Sequence, residues 1–376
     1  MSGGPSVASV QQSIGGDKPS QSFGAEVWQR LQRDRVARIS LWILGTISVL
    51  ALITPLLPLM PPRLVRTERQ FQPPQFWPLF QHGFYDRPRW AASHSAEDEK
   101  QAAEHLLSEG FGHLDPFSQA LLRIRWMVFG EWSLAPICGT DKLGRDVFSR
   151  IMWGARVSLA VGLVATLVSL LIGVTYGAIA GFVGGFLERF MMRIVDILYS
   201  VPFIFLFIFI ITIVSAEPIR NFLETRWGLS RIIIFFFLVG AIYWLTMARV
   251  VRGQVISLKH ELYVEAARAL GASFWRILFR HIVPNLISII VVYLTLTIPR
   301  VMLFEAFLSF LGLGVEPPDV SWGLLANEGL QAMTPVRIYW WLIVFPGLAL
   351  AATLFALNFL GDSLRDAIDP RLRNVR

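Results

Sequence analysis

Six apolar runs dominate this chain, at 41–60, 157–181, 194–214, 232–248, 284–304 and 339–361. Wound as helices at about 1.5 Å per residue, runs of this length cross a hydrocarbon core about 30 Å thick. Lipid offers no partner to an unpaired backbone N–H or C=O, so isolated runs of this kind must be helical. The expected fold is therefore an all-α polytopic membrane protein with six transmembrane helices. Charge supports this, because only 16% of the 376 residues are charged and 54% are hydrophobic, whereas soluble domains carry about 25% charged residues. The net charge of +7 could suggest nucleic acid. The basic residues instead crowd the edges of the apolar runs, which marks a lipid partner and argues against a nucleic-acid one.

Residues 1–25 are rich in Gly, Ser and Gln and lack the charged-then-apolar order of a cleavable signal, so 1–38 is expected to be a disordered cytoplasmic tail with a basic flank. Arg30, Arg33, Arg35 and Arg38 precede the first span, 39–60, and hold its front end in the cytoplasm. An extracytoplasmic segment, 61–138, follows. Pro73, Pro74, Trp77 and Pro78 give it an extended loop, and 95–109 read as an acidic helix. His82, His94, His105 and His113 lie here without metal-ligand spacing, so no metal site is expected. The single cysteine, Cys138, excludes an internal disulfide and a cysteine-based metal cage.

From Gly139-Thr140-Asp141 to Arg156 the sequence reads as an interfacial helix that elbows into the second span. Val147, Phe148, Ile151, Met152 and Ala155 form its apolar face, with Arg145, Asp146, Ser149 and Arg150 opposite. Gly173, Gly177, Gly181 and Gly185, each four apart, form a ridge for close helix packing. Gly184–Arg193 is expected to be a basic turn before span 194–214, with Asp196 paired to Arg193 and Pro202 bending the span. Residues 215–231 form a short outer loop. Arg300, after Pro299, is the one charge well inside an apolar run, so it should snorkel outward or meet a substrate carboxylate; Glu305 is a second candidate pore residue.

Between the fourth and fifth runs lies an amphipathic hairpin, 261–284. Leu262, Ala266, Ala269 and Leu270 recur at helical spacing. Gly271 stands where a helix C-cap wants a left-handed residue, Ser273 is placed to cap a second short helix, and Pro284 turns the chain into the next span. Ala266 and Ala267 leave one face nearly free of bulk, while Glu265 and Arg268 can orient a partner by charge.

The run Glu265-Ala266-Ala267, with Gly271 and Pro284, resembles the EAA loop of ABC importer permeases; His281-Ile282-Val283-Pro284 replaces its usual Ile-x-Leu-Pro and suits the peptide branch. Gly139-Thr140-Asp141, Gly144-Arg145-Asp146 and Ser149-Arg150 resemble the signature before the second span of dipeptide and oligopeptide permeases. Leu308-Ser309-Phe310-Leu311-Gly312-Leu313-Gly314, followed by Ser321-Trp322-Gly323, resembles their loop between the fifth and sixth spans, and Gly361 to Pro370 resembles their ending. The likeness covers 139–370, the permease core, with 371–376 a cytoplasmic tail, and says little about the longer segment 61–138. It fits the C-type permease subunit of oligopeptide and dipeptide ABC importers.

That resemblance implies a type I importer fold in a bacterial plasma (inner) membrane, with both termini cytoplasmic. It implies a homologous B-type permease, two ATPase subunits coupled through Glu265, Ala266, Ala267, Arg268, Gly271 and Pro284, and an extracytoplasmic peptide-binding protein docked near Ser309, Gly312, Gly314, Ser321, Trp322 and Gly323. ATP and Mg belong to the partners, and the chain itself holds no cofactor. It has no Gly-Lys pair, hence no P-loop. Nickel or another small solute is the alternative cargo. Of the other classes, a membrane-embedded enzyme lacks its parts, since Asp196 has no second acid and His260-Glu261 no downstream His. A passive scaffold would leave the hairpin without a purpose.

Overall fold

The computed structural model describes residues 23–77, 79–81, 110–111, 114–130, 132–228 and 230–368. The expected helix at 95–109 and the four histidines of the outer segment lie outside the described residues, as do 1–22 and 369–376. Among the described residues five helices are long and apolar enough to cross a membrane, or six if one sharply bent pair counts as a single span.

Helix α1 (Phe23–Arg33) replaces the end of the expected disordered tail. Its Leu31 packs with Ala37 against Ala367 near the far end of the chain, and Arg30 donates to the Ala367 carbonyl at 3.1 Å. Long-range packing of this kind leaves no mark in local composition. Asp34 caps α2 (Arg35–Ile53), accepting from the Val36 N–H at 2.9 Å, and also accepts from Ser363 Oγ at 2.6 Å. The first span closes with a 3-10 turn, Thr54–Leu56, instead of running to 60. Pro55 and Pro58 lack the N–H groups that further helical turns need.

The outer segment folds back over this end. Strands β1 (Phe80–Gln81) and β2 (Ser133–Leu134) pair antiparallel. Helix α3 (Pro116–Phe129) is pinned by the buried Arg125, which donates to the carbonyls of Leu57 and Leu59 at 3.1 and 3.3 Å.

Helix α4 (Val147–Val183) spans 37 residues without an elbow. Residues 139–146 do not start it, because Gly139 and Gly144 take φ of +77° and +71° and fold the segment into a turn closed by a Thr140–Asp146 bridge. Asp146 then caps α4, accepting from the N–H groups of Phe148 and Ser149 at 3.1 Å each.

Helices α5 (Gly185–Ser200) and α6 (Phe203–Ser215) meet at a 92° bend across Val201 and Pro202. The expected basic turn is thus the start of a helix, and Asp196 pairs with Arg249 at 2.9 Å, not with Arg193. Helix α7 (Glu217–Trp227) occupies the expected outer loop, and α8 (Arg231–Leu258) returns.

Close contact between α4 and α8 organises the bundle. A Cβ on Gly177 would sit 2.4 Å from the Ala248 carbonyl oxygen, and one on Gly173 2.6 Å from the Met247 Cβ. Gly181 meets the Arg252 carbonyl in the same way, so three members of the expected ridge work as a seam. Gly185, the fourth, lies beyond the helix end and meets nothing within 4 Å.

After α9 (Leu262–Ala269), residues 274–310 form one helical path of 37 residues, ending in α10 (Ile287–Phe310). Pro284 does not turn the chain out as expected. A π-helical stretch over Ile277–Ile282 and a 3-10 turn over Val283–Leu286 absorb the missing N–H and the ring's bulk. A loop then leads to α11 (Trp322–Ala332), and α12 (Trp341–Ile368) closes the bundle, running helically through Gly361.

Candidate coupling hairpin, cavity and outer collar

The hairpin is held by one buried anchor and presents the rest outward. Val264 of α9 is 0% exposed, packed with Val255, Ile277, Leu278 and Ile282 onto Val174 and Ala178 of α4. Leu262 and Leu270 are 82% and 88% exposed, and Glu265, Ala266 and Ala269 share their face. The stripe that reads as amphipathic in sequence therefore faces away from the protein's own core. Arg268 stands over the Phe182 ring, 5.6 Å from its centroid, and Phe182 in turn packs on Phe274 at 5.1 Å. These rings tie both arms of the hairpin to the end of α4.

Gly271 closes α9. Its φ is +78°, its N–H donates to the Arg268 carbonyl at 3.0 Å, and the Ala272 N–H donates to the Ala267 carbonyl at 3.0 Å. This pair of bonds is the Schellman arrangement, which requires a left-handed residue at that step. Ser273 occupies the N-cap position of the second arm, but its side chain makes no capping bond there. Pro284 is exposed on the hairpin's second arm.

A cavity of ≈730 Å³ opens where α5 and α6 bend, between α8, α10 and the end of α12. Its lining includes Tyr199, Tyr243, Tyr293, Thr297, Arg300 and Arg365. Arg300 is in this lining. Glu305 is not, being 0% exposed and turned into the protein, where Ser309 Oγ donates to its Oε1 at 2.7 Å. Five residues separate the two, about 1.4 helical turns, which sets them about 140° apart around α10.

The outer motif residues also correct the expectation of an exposed docking surface. Ser309, Ser321 and Trp322 are 0–2% exposed, and Gly314 and Gly323 are buried too. The Val315 N–H donates to Ser309 Oγ at 3.1 Å, the Trp322 N–H to Ser158 Oγ at 3.1 Å, and the Trp322 indole to the Ile151 carbonyl at 3.0 Å. A Cβ on Gly323 would lie 2.5 Å from the Ala306 Cα. These residues bolt the loop to α4 and α10, and only Gly312 of the six stays exposed.

The Gly-Thr-Asp motif performs a parallel task. Arg145 donates to Asp141 at 2.7 Å and to Glu328 of α11 at 3.1 Å; Arg150, 1% exposed, bonds both Asp141 and Glu328. Thr140 accepts through its carbonyl from the Trp341 indole at 3.3 Å. Arg145, Asp146, Ser149 and Arg150 thus face protein, not the headgroup region expected for an interfacial elbow. Burial raises the Glu328 carboxyl, but the two guanidiniums outweigh it and hold the group below its ordinary range. Glu328 has no sequence signal, since its partners lie more than 170 residues away. Burial pushes the Cys138 thiol up to about 12, with Asp146 adding to the shift, so it is unreactive at neutral pH.

Two family descriptions match the chain. Residues 173–374 match the binding-protein-dependent transport system inner membrane component, and residues 22–74 match the N-terminal TM domain of oligopeptide transport permease C. The dipeptide transport system permease protein DppC of Bacillus subtilis is 35% identical over 359 residues, covering 95% of this chain and 88% of that protein. The oligopeptide transport system permease protein OppC of Salmonella typhimurium is 45% identical over 235 residues, 62% of this chain and 72% of its own length. The glutathione transport system permease protein GsiD of Pectobacterium atrosepticum is 41% identical over 237 residues, 63% and 73% of the respective chains. With its spans, its hairpin and these matches together, the chain belongs to the inner-membrane permease family of binding-protein-dependent transport systems, in its oligopeptide/dipeptide C-type branch.

Proposed function

We propose that this chain forms half of the translocation path of an ATP-driven importer of dipeptides and oligopeptides, paired with a homologous B-type permease. Two separate ATPase subunits bind ATP and Mg and dock on Glu265, Ala266, Ala267 and Arg268. An extracytoplasmic peptide-binding protein delivers the cargo at the outer face. The exposed Gly312, Val336 and Ile338 offer it contacts that the buried motif residues do not. The protein resides in a bacterial plasma (inner) membrane with both termini cytoplasmic.

One observation carries this reading. An apolar stripe turned away from its own protein sits on a helix whose anchor, Val264, is completely buried. Such a face costs stability unless a partner covers it. The second arm runs without a break into α10, so movement of the hairpin is movement of the path's wall. Coupling requires the ATPases to grip the hairpin differently in their open and closed states, because equal contact in both would shift nothing. Nickel fits poorly as cargo, since the charged groups lining the cavity are both arginines.

A single-cysteine series tests the assignment, with the unreactive Cys138 giving little background. Ala269→Cys should crosslink to a co-expressed ATPase subunit in a nucleotide-dependent way, and the assembled complex in proteoliposomes should take up peptide only with ATP. A hairpin cysteine labelled from the external side of sealed cells would overturn the orientation and the docking role together.

A further inference from the structure

Two guanidiniums, Arg300 and Arg365, line the cavity at the α5–α6 bend, and neither forms an ion pair among the described residues. Other arginines near the bundle interior are neutralised: Arg145 and Arg150 by Asp141 and Glu328, Arg249 by Asp196, and Arg252 by Glu188. Asp196 and Arg249 adjoin the cavity through Tyr199, whose ring Arg249 covers at 4.1 Å, so that neighbouring pair cancels itself. The cavity keeps a formal charge of +2 with no acid in its lining.

Arg300 also lies farther from the end of its helix than its sequence position implies. Because α10 continues to Phe310, about 15 Å of helix separates Arg300 from that end. An arginine within an apolar run is costly in lipid and is retained where it serves a path or a partner. The Tyr243 hydroxyl donates to the Arg300 carbonyl at 3.3 Å, which fixes the backbone that carries it. Independently, the extended backbone at Val201 and Pro202 lies in the same lining. Non-helical backbone within a span is tolerated where it lines a cavity and often marks the binding point of a transporter. The volume of ≈730 Å³ falls within the range of about 300–1,000 Å³ usual for ligand pockets.

We infer that this cavity is a carboxylate-reading section of the transport path, with Arg300 the principal contact and Arg365 the second. A guanidinium fork matches a carboxylate in a planar, two-bond geometry that an ammonium cannot offer. The cargo class this selects is the peptide with a free C-terminal carboxylate or acidic side chains, and strongly basic peptides are disfavoured by the same charge. This inference rests on the importer reading and deepens it.

The test uses the full complex, with its binding protein, in proteoliposomes. Uptake of tri-alanine is compared with that of its C-terminal amide for the wild type, Arg300→Gln, Arg300→Lys and Arg365→Gln. The binding protein is common to all, so any preference of its own cancels when variant and wild type are compared as ratios. Arg300→Gln should cut the acid-to-amide ratio about tenfold or more, from the loss of charged hydrogen bonds. Arg365→Gln should cut it less, and Arg300→Lys should keep part of it because the charge stays. Equal loss for both peptides in Arg300→Gln and Arg300→Lys, or an unchanged ratio in all three variants, would overturn the inference and leave the importer reading standing. Absence of ATP-dependent uptake of either peptide by the wild type would instead overturn the importer reading on which it rests.

Discussion

Replacing Gly271 perturbs the hairpin at the step where backbone geometry alone closes it. Gly271 has φ +78° with nothing within 4 Å of a built Cβ, so alanine there meets no clash and is opposed only by the left-handed backbone, about 1–2 kcal/mol. Proline is different in kind, because its ring fixes φ near −65° and it has no N–H. The Gly271–Arg268 bond is lost outright, and the Ala272–Ala267 bond loses the chain reversal that aligns it. At about 1 kcal/mol net for each bond, added to the conformational term, Gly271→Pro costs about 3–4 kcal/mol locally. That suffices to leave the end of α9 open nearly all the time. The spans should still insert, because the α4–α8 seam does not involve this turn. In the reconstituted complex the assay is peptide taken up per ATP hydrolysed. Gly271→Ala should lower the ratio in part, and Gly271→Pro should hydrolyse ATP with little uptake. Wild-type uptake per ATP in the proline variant would refute the hairpin as the mechanical link.

Three further outcomes follow from the packing. Glu328→Ala leaves Arg150, 1% exposed, with Asp141 alone, and should destabilise the outer collar by about 3–5 kcal/mol, read as thermal unfolding in detergent; a loss under about 1 kcal/mol would count against the cluster. Because the Glu328 carboxyl is held below its ordinary value, its stabilisation is complete above the ordinary carboxylate range and fades as pH falls through the lowered value. Glu328→Gln should therefore show a flatter acid limb, and an unchanged limb would discount that group. Gly177→Leu places side-chain carbon against the Ala248 carbonyl, a backbone neighbour that cannot rotate aside, and should abolish a monodisperse complex in gel filtration. Normal assembly would show the seam to be looser than its distances state.

The spans were legible in sequence because lipid imposes one rule on the whole run. Three of the ridge glycines and Gly271 were legible because each answers a local demand for small size or left-handed backbone. What stayed hidden depends on partners far along the chain. Arg145 and Arg150 read as a polar face for headgroups until Glu328, brought over by α11, makes them interior. Glu305 and Ser309 read as pore and docking residues until Ser158 and Trp322 close over them. Pro284 read as a break, yet a π-helical stretch lets the helix pass it. Pro202 did break its span, and no local rule ranks those two prolines.

The helical path from Phe274 to Phe310 is about 55 Å long, with the hairpin at one end and the Leu311–Ser321 crossing at the other. A rod of that length tilted by about 10° about its midpoint moves its two tips by about 5 Å in opposite directions. Any push received below thus emerges above as a swing the other way, with Arg300, about 12 Å beyond the midpoint, carried about 2 Å with the upper arm.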